Sequence, residues 1–540
     1  MNTGSCASLG DLTLIMSTAT VAAPAPSSRP AVPVPKSLVV VVDVTPMLPG
    51  GGNGGAKWAV LSLIKQFLRQ RPKWCWWLLT TAANDGFLGE MFPTAHRLRL
   101  IDEHGHLITS PKLLELPDGG RADLLFCPFT APFHAIPAVP TVSTVYDLQF
   151  MAYSQFFTPA EVEERSRHFS QAATLCDRLI CISGHVAEEV RRVTGLDEHR
   201  VRFIHLTMGD RLPAVNPDTA AAALAGLGLK TGRYLLYPAN TWPHKNHAML
   251  ITAAGMYFAA HPESDLKIVC TGVSDDGRGR ALRDAAVRMG LARRVLFPGF
   301  QDEQCFAALM SNARALIFPS LFEGFGIPVL EAMVNGVPVL SANTTSLPEV
   351  AGDAALMFDP RRPRQIVSAI DSIESDPELG RRLAAAGRLR AASLGTAATM
   401  AAGYLEIFAE TLAERHRLSG QLYQQELTLR HWLANHPMVA AVFRLPHRVR
   451  GRLRSLLTRL GDAPGRLLGQ AQRGRAVLSR RLPVLRLAMG RLRQVCARLP
   501  EAPGRLFGQL QRGRAALSRR LPVLRLAMGR LRRLFSGTRP

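Results

Sequence analysis

Apolar residues along this chain follow two spacings that alternate. "SLVVVVDV" (37–44) is an unbroken β-branched run, the pattern of a strand covered on both faces in a parallel sheet. A glycine-rich stretch follows it, and "AKWAVLSLIKQFLRQ" then carries apolar residues at helical spacing, so the three together predict a strand–loop–helix unit. Further apolar runs at 123–129, 140–148, 177–183 and 201–206 alternate with helix-period segments and predict a doubly wound α/β domain. Residues 216–232 read as a connection. The pattern restarts beyond them, with strands expected at 234–240, 266–272, 295–300, 315–320 and 337–342. The fold class is therefore α/β, with two successive Rossmann-like domains.

This reading divides the chain into a disordered Ala/Pro-rich leader (1–36), a first Rossmann-like domain (37–215), a linker (216–232) and a second Rossmann-like domain (233–395). Helices packing back on the core (396–440) and an Arg/Leu-rich amphipathic tail (441–540) complete it. The leader lacks the basic n-region of a signal peptide, and no apolar run reaches the length of a membrane span. Any membrane contact is then expected to be peripheral.

Charge changes the picture at one end only. The 540 residues carry a formal net charge of +23, yet residues 441–540 alone hold 25 arginines, no lysine and only two acids, Asp462 and Glu501, so the rest of the chain is balanced. Within this tail, 451–489 recurs as 490–528 with 30 of 39 positions identical. Leu485, Ala488, Met489, Leu492, Val495, Cys496 and Leu499 form one apolar helical stripe, with Arg486, Arg491, Arg493 and Arg498 between them. An anionic membrane surface suits such a stripe. Packing on a partner helix is a second reading. Nucleic acid is not expected, because aromatic interleaving is sparse and no known nucleic-acid motif is present. The eight cysteines show no CxxC pair and no zinc spacing, which fits reduced thiols in a cytoplasmic protein.

The chemistry concentrates in "EGFGIPVLE" (323–331). A strand ending at Pro319-Ser320 delivers this loop to the carboxyl edge of a parallel sheet, where open α/β sheets bind ligands. Pro328 suits the first turn of a helix whose free N–H groups favour phosphate, and Gly324 and Gly326 let a ligand approach the backbone. Glu323 and Glu331 add acceptors for hydroxyl groups, so the arrangement suits a ligand made of sugar, phosphate and ribose. Alone, the same residues also fit a surface glutamate beside an ordinary capped helix.

The stretches "ALIFPSLFEGFGIPVLEAMVNGVPVLSANTTSLPEVAGDAALMFDP" (315–360), "YPANTWPHKNH" (237–247), "STVYDLQFMAYSQFFTPAEVEERSRHF" (143–169) and "DRLICISGHVAEEV" (177–190) resemble retaining glycosyltransferase family 4, the glycosyltransferase group 1 domain with the GT-B fold. The resemblance covers roughly residues 37–410 and implies two domains facing across a cleft. It makes Glu323 and Glu331 the family's E-x7-E pair. Glu323 and the amides of Gly324, Phe325 and Gly326 then hold the donor sugar, and Glu331 holds the ribose. Lys245 takes the place of the phosphate-binding lysine, and Glu323 with Lys245 form the expected catalytic set. Asn240 stands where many members have arginine. Gly51, Gly52, Asn53, Gly54 and Gly55 occupy the place of the glycine-rich loop. Tyr146-Asp147 stand where His-Asp is common, so both are carried over as cleft and acceptor residues only. His134, His205 and His244 read as structural.

The resemblance implies transfer of a hexose from a nucleoside-diphosphate sugar, GDP-mannose favoured, to a glycan or polyprenyl-linked acceptor at the inner face of the cell membrane. No cofactor is expected. No metal is expected either, because "SDD" (274–276) reads as a turn rather than a metal site. A sugar-nucleotide epimerase of the same fold and a non-catalytic binding protein driven by its basic tail are the alternatives. Intact Glu323, Lys245 and Glu331 count against the second.

Overall fold

A computed structural model describes residues 34–49, 53–207, 211–272 and 276–417. They fall within one unit, Met1–His431, and Trp432–Pro540 form another. The leader as far as residue 33, Gly51, Gly52 and the whole arginine-rich tail lie outside the described residues.

The first sheet contains β1 (Val39–Asp43), β2 (Cys75–Thr81), β3 (His96–Ile101), β4 (Leu124–Cys127), β5 (Thr141–Val145), β6 (Arg178–Cys181) and β7 (Val201–Phe203). Their order is β3-β2-β1-β4-β5-β6-β7, and every pairing is parallel. The second sheet contains β8 (Tyr234–Pro238), β9 (Lys267–Thr271), β10 (Val295–Gly299), β11 (Ala315–Phe318), β12 (Val339–Ala342) and β13 (Ala355–Phe358), ordered β10-β9-β8-β11-β12-β13 and again all parallel. Strands covered on both faces by helices need apolar residues at successive positions. Val40–Val42 and Ala315–Phe318 meet that demand and are fully buried.

Three strands go beyond the sequence expectation. β3 reads "HRLRLI" and leaves most of its side chains partly or fully exposed at the sheet edge, so it carries no continuous apolar run. β2 reads "CWWLLTT", where tryptophans replace β-branched residues, and β13 is only four residues long. The connection at 216–232 is also more than a linker. It contains the helix Pro217–Gly226, capped by Asn216, whose side chain accepts from the Thr219 N–H.

In each sheet the chain order reverses once, between β1 and β4 and between β8 and β11. Loops leaving the carboxyl ends of strands beside such a reversal diverge and open a crevice. The loops after β8 and β11 are the ones that carry Lys245 and Glu323.

The last described helix, Ala397–Arg417, returns from the second domain to the first. Tyr404 and Phe408 pack on Phe67 and Phe126 with ring centroids 5.2–6.3 Å apart, and all four are fully buried. Arg202 on β7 pairs with Glu410 at 2.8 Å, and the buried Arg178 of β6 pairs with Glu414. Among the described residues, no helix is long and apolar enough to cross a membrane.

Candidate functional site

A cavity of about 790 Å³ lies between the carboxyl edges of the two sheets. Asn53, Gly54, Tyr146, Asp147, Asn240, Lys245, Glu323, Gly324, Phe325, Gly326 and Glu331 all line it. Every candidate of the sequence reading that falls among the described residues is therefore brought to one place; Gly51 and Gly52 fall outside them.

Lys245 follows β8 on a short 3₁₀ turn, Pro243–Lys245. Tyr237 donates its phenol hydrogen to the Lys245 carbonyl at 2.5 Å, and the Leu321 N–H donates to the His244 carbonyl at 2.7 Å. Asn246, in the left-handed region at φ 61°, donates to the carbonyls of Pro319 and Pro360. These bonds tie the loop after β8 to the loop after β11. Lys245 Nζ then donates to Glu323 Oε1 at 2.5 Å and lies 5.5 Å from the centre of the Phe318 ring.

Three hydroxyls hold the glutamate loop from beneath. The Glu323 N–H donates to Thr345 Oγ1, Ser346 Oγ donates to the carbonyls of Glu323 and Phe325, and Thr344 Oγ1 donates to the Ser320 carbonyl. This support comes from "NTTS", a run the sequence reading quoted without assigning it a task. The loop ends at Gly326, φ 104°, which begins the helix Ile327–Val334 with Pro328 in its first turn.

The glycines also meet a packing demand that the sequence reading did not foresee. A Cβ on Gly324 would collide with the Tyr146 carbonyl oxygen of the first domain, and one on Gly326 would lie 2.6 Å from Leu347 Cδ2. A Cβ on Gly55 would collide with the Ile327 side chain. The two glycine-rich loops are thus fitted to the opposite domain. Asn53 is likewise committed to its own loop: it accepts from the Leu48 N–H and donates to the Pro46 carbonyl.

Burial governs the electrostatics on the first-domain side. Asp147 accepts from the Gln149 N–H at 2.9 Å, but burial holds its pKa above the ordinary carboxylate value. Burial also raises the Tyr146 phenol well above its usual range, so the phenol offers no base at neutral pH. His244 is pushed down to about 3 by burial and by the cations Lys245 and Arg278, which keeps it neutral. His134 Nε2 sits 3.9 Å from the buried Asp43 carboxylate. Asp276, the one described residue of "SDD", caps the helix Gly277–Arg288. Among the described residues, no three His, Cys, Asp or Glu side chains converge as metal ligands would.

The sequence reading missed two residues. Glu349 belongs to the second domain, yet it accepts from the Gly184 N–H (2.7 Å) and the His185 N–H (2.8 Å) at the start of the first-domain helix Gly184–Thr194, and it meets His205 Nε2 at 2.7 Å. Burial pushes Glu349 up, but these three partners outweigh it and hold its pKa below the usual value. Ser183 Oγ completes the bridge by donating to the Gly324 carbonyl. The second missed residue is Arg211, which lies 2.9 Å from Glu331. Glu349 sits in the quoted "SLPEVAGD", where only its packing partners reveal a task. Nothing in the sequence around Arg211 marks it.

Residues 225–390, which contain Lys245, Glu323 and Glu331, match the family described as glycosyl transferases group 1. The chain carries a glycosyl transferases group 1 domain. It is 32% identical over 227 residues to the serotype-specific mannosyltransferase WbdA of Escherichia coli, covering 41% of this chain and 28% of that protein. It is 27% identical over 223 residues to O-antigen chain mannosyltransferase B of Escherichia coli, covering 41% of this chain and 57% of that one. The chain therefore spans about a quarter to just over half of these curated relatives. The crystal structure of Anabaena HepE in complex with UDP and glucose superposes with a TM-score of 0.53 at 16% identity, covering 70% of this chain and all of that one. That likeness is one of fold, and the fold of the group 1 domain and its partner domain is GT-B.

Proposed function

We propose that this protein is a retaining glycosyltransferase that moves a hexose, mannose favoured, from a nucleoside-diphosphate sugar to a glycan or lipid-linked acceptor. The observation that carries the reading is the convergence of Lys245 and Glu323 at 2.5 Å, at the chain reversal of the second sheet and beside the start of the helix Ile327–Val334. Bond cleavage loads negative charge on the departing diphosphate. A cation and free helix N–H groups placed where that charge grows stabilise the transition state more than the ground state. In this reading the diphosphate takes Lys245 from Glu323, and the freed carboxylate accepts from hydroxyls of the donor sugar. Glu331 accepts from the ribose.

No side chain besides Glu323 is assigned to the sugar's reacting carbon, so the acceptor hydroxyl attacks from the face the diphosphate leaves. The protein's contribution is position and charge. No metal takes part in any step of this reading. Mannose and GDP are favoured because the relatives named above are mannosyltransferases. The arginine-rich tail is assigned to the anionic inner surface of the cell membrane, which keeps the enzyme close to lipid-linked acceptors.

The test is a thermal-shift panel of GDP-, UDP- and dTDP-sugars on the full chain, followed by detection of nucleoside diphosphate release. One donor is expected to raise the melting temperature, and Lys245→Ala and Glu323→Ala are expected to lower turnover steeply. A panel without any shift, or full turnover in both variants, refutes the site. For the tail, equal sedimentation with neutral and anionic vesicles refutes the membrane assignment.

A further inference from the structure

Glu331 is 4% exposed, and its Oε1 is enclosed with no hydrogen-bond donor aimed at it. Arg211 Nε lies 2.9 Å from that oxygen, but its N–H does not point along the contact, so the two meet as charges rather than through a hydrogen bond. The guanidinium is fixed by aromatic faces from both domains: its carbon lies 5.4 Å from the centre of the Trp58 ring and 5.9 Å from that of Phe306. Trp58 stands on the first-domain helix Gly55–Gln70, and Phe306 on the second-domain helix Glu303–Asn312. Arg211 itself belongs to the segment that crosses between the domains. Both Arg211 and Glu331 line the cavity.

We propose that Arg211 is a positioning residue for the ribose subsite, holding Glu331 through Oε1 and supplying its counter-charge so that the other oxygen faces the donor. This inference rests on the donor reading above and adds to it a residue outside the matched family segment. Its physical basis is the cost of an unpaired buried carboxylate. Burial, helped by the neighbouring Glu303, raises Glu331 to about 7 even with Arg211 lowering it. Arg211 from the crossing segment and Glu303 from the helix Glu303–Asn312 are the charged groups that act on it. Without the arginine, Glu331 takes up a proton at neutral pH. A protonated acid has lost one of the acceptor sites through which a carboxylate binds ribose hydroxyls.

The aromatic clamp on the guanidinium draws on both domains.

The experiment is calorimetric titration of the full-length protein and of Arg211→Met, Arg211→Lys, Glu331→Gln and the Arg211→Met/Glu331→Gln double variant with GDP-mannose and with UDP-glucose, from pH 6 to 9. For the wild type, donor affinity is expected to rise as Glu331 ionises near pH 7. In Arg211→Met the midpoint of that rise moves up by about one unit or more. Arg211→Lys returns it toward the wild-type position, and Glu331→Gln abolishes it. The double variant binds no more weakly than Glu331→Gln alone, because the two residues act through one group.

Weaker binding of Arg211→Met by the same factor at every pH overturns the proposal, and so does an unchanged profile or full additivity in the double variant. If neither nucleotide sugar binds the wild type, it is the donor reading that falls. A cooperative melting transition well above the titration temperature in every variant keeps a folding defect from imitating either result.

Discussion

Glu323 and Glu331 are eight residues apart, belong to one motif and line one cavity, yet the fold treats them in opposite ways. Glu323 sits on a loop and hydrogen-bonds to a lysine from its own domain, with 12% of its side chain exposed. Glu331 lies within a helix, 4% exposed, and faces an arginine from the segment that joins the domains. In the proposed reading the first pair is open to exchange, with a diphosphate displacing the carboxylate from Lys245. The second is a buried charge whose ionisation depends on a neighbour. A sequence motif thus places two similar carboxylates, and tertiary structure decides what each is able to do.

The largest effect is expected at the exchangeable pair. Lys245→Ala should lower nucleoside diphosphate release by about 10²–10³-fold, the usual cost of removing one charge-stabilising group, with donor affinity reduced far less. An equal loss in both parameters would make Lys245 a binding residue only. Glu331→Ala should do the reverse, weakening donor binding by roughly 10–100-fold, in line with a lost hydrogen bond to a charged group, while turnover at saturation changes little. If the two variants have the same kinetic signature, the contrast between the carboxylates is wrong.

The next effect appears in the ligand-free protein as a pH dependence of stability. The folded-state pKa of Glu331, about 7, lies above its ordinary value of 4.5. Between these values the folded protein keeps a proton that the unfolded chain has released, so stability falls as pH rises through this window. The contribution is on the order of 1–3 kcal/mol. Glu331→Gln should flatten this part of the melting profile, and Glu323→Gln should leave it in place.

The smallest expected effect belongs to Glu349→Gln, which keeps the size of the side chain but loses its charge and one of the two acceptors facing the Gly184 and His185 N–H groups. It should cost about 1–2 kcal/mol, seen as a lower melting temperature with the donor site retained.

Legibility in the sequence followed the range of the interactions. Strands such as Val39–Asp43 and Ala315–Phe318 were readable because two-sided burial demands an unbroken apolar run within a few residues. The edge strand His96–Ile101 was not, because its exposed positions remove that demand. Lys245, Glu323 and Glu331 were legible through motifs whose spacing is local. Arg211 was invisible because its meaning lies in Trp58, Phe306 and Glu331, residues far apart along the chain that only the fold assembles. Gly324 was legible as a requirement, but the Tyr146 carbonyl that excludes a side chain there was not.

The return of the helix Ala397–Arg417 to the first domain also orders events during synthesis. Phe67 and Phe126 emerge from the ribosome early, but Tyr404 and Phe408, which cover them, follow only after the entire second domain. Until then the nascent first domain presents an aromatic patch to the cytosol, a state that chaperones recognise and aggregation exploits. A chain cut short before residue 397 therefore leaves Phe67 and Phe126 without the rings that cover them.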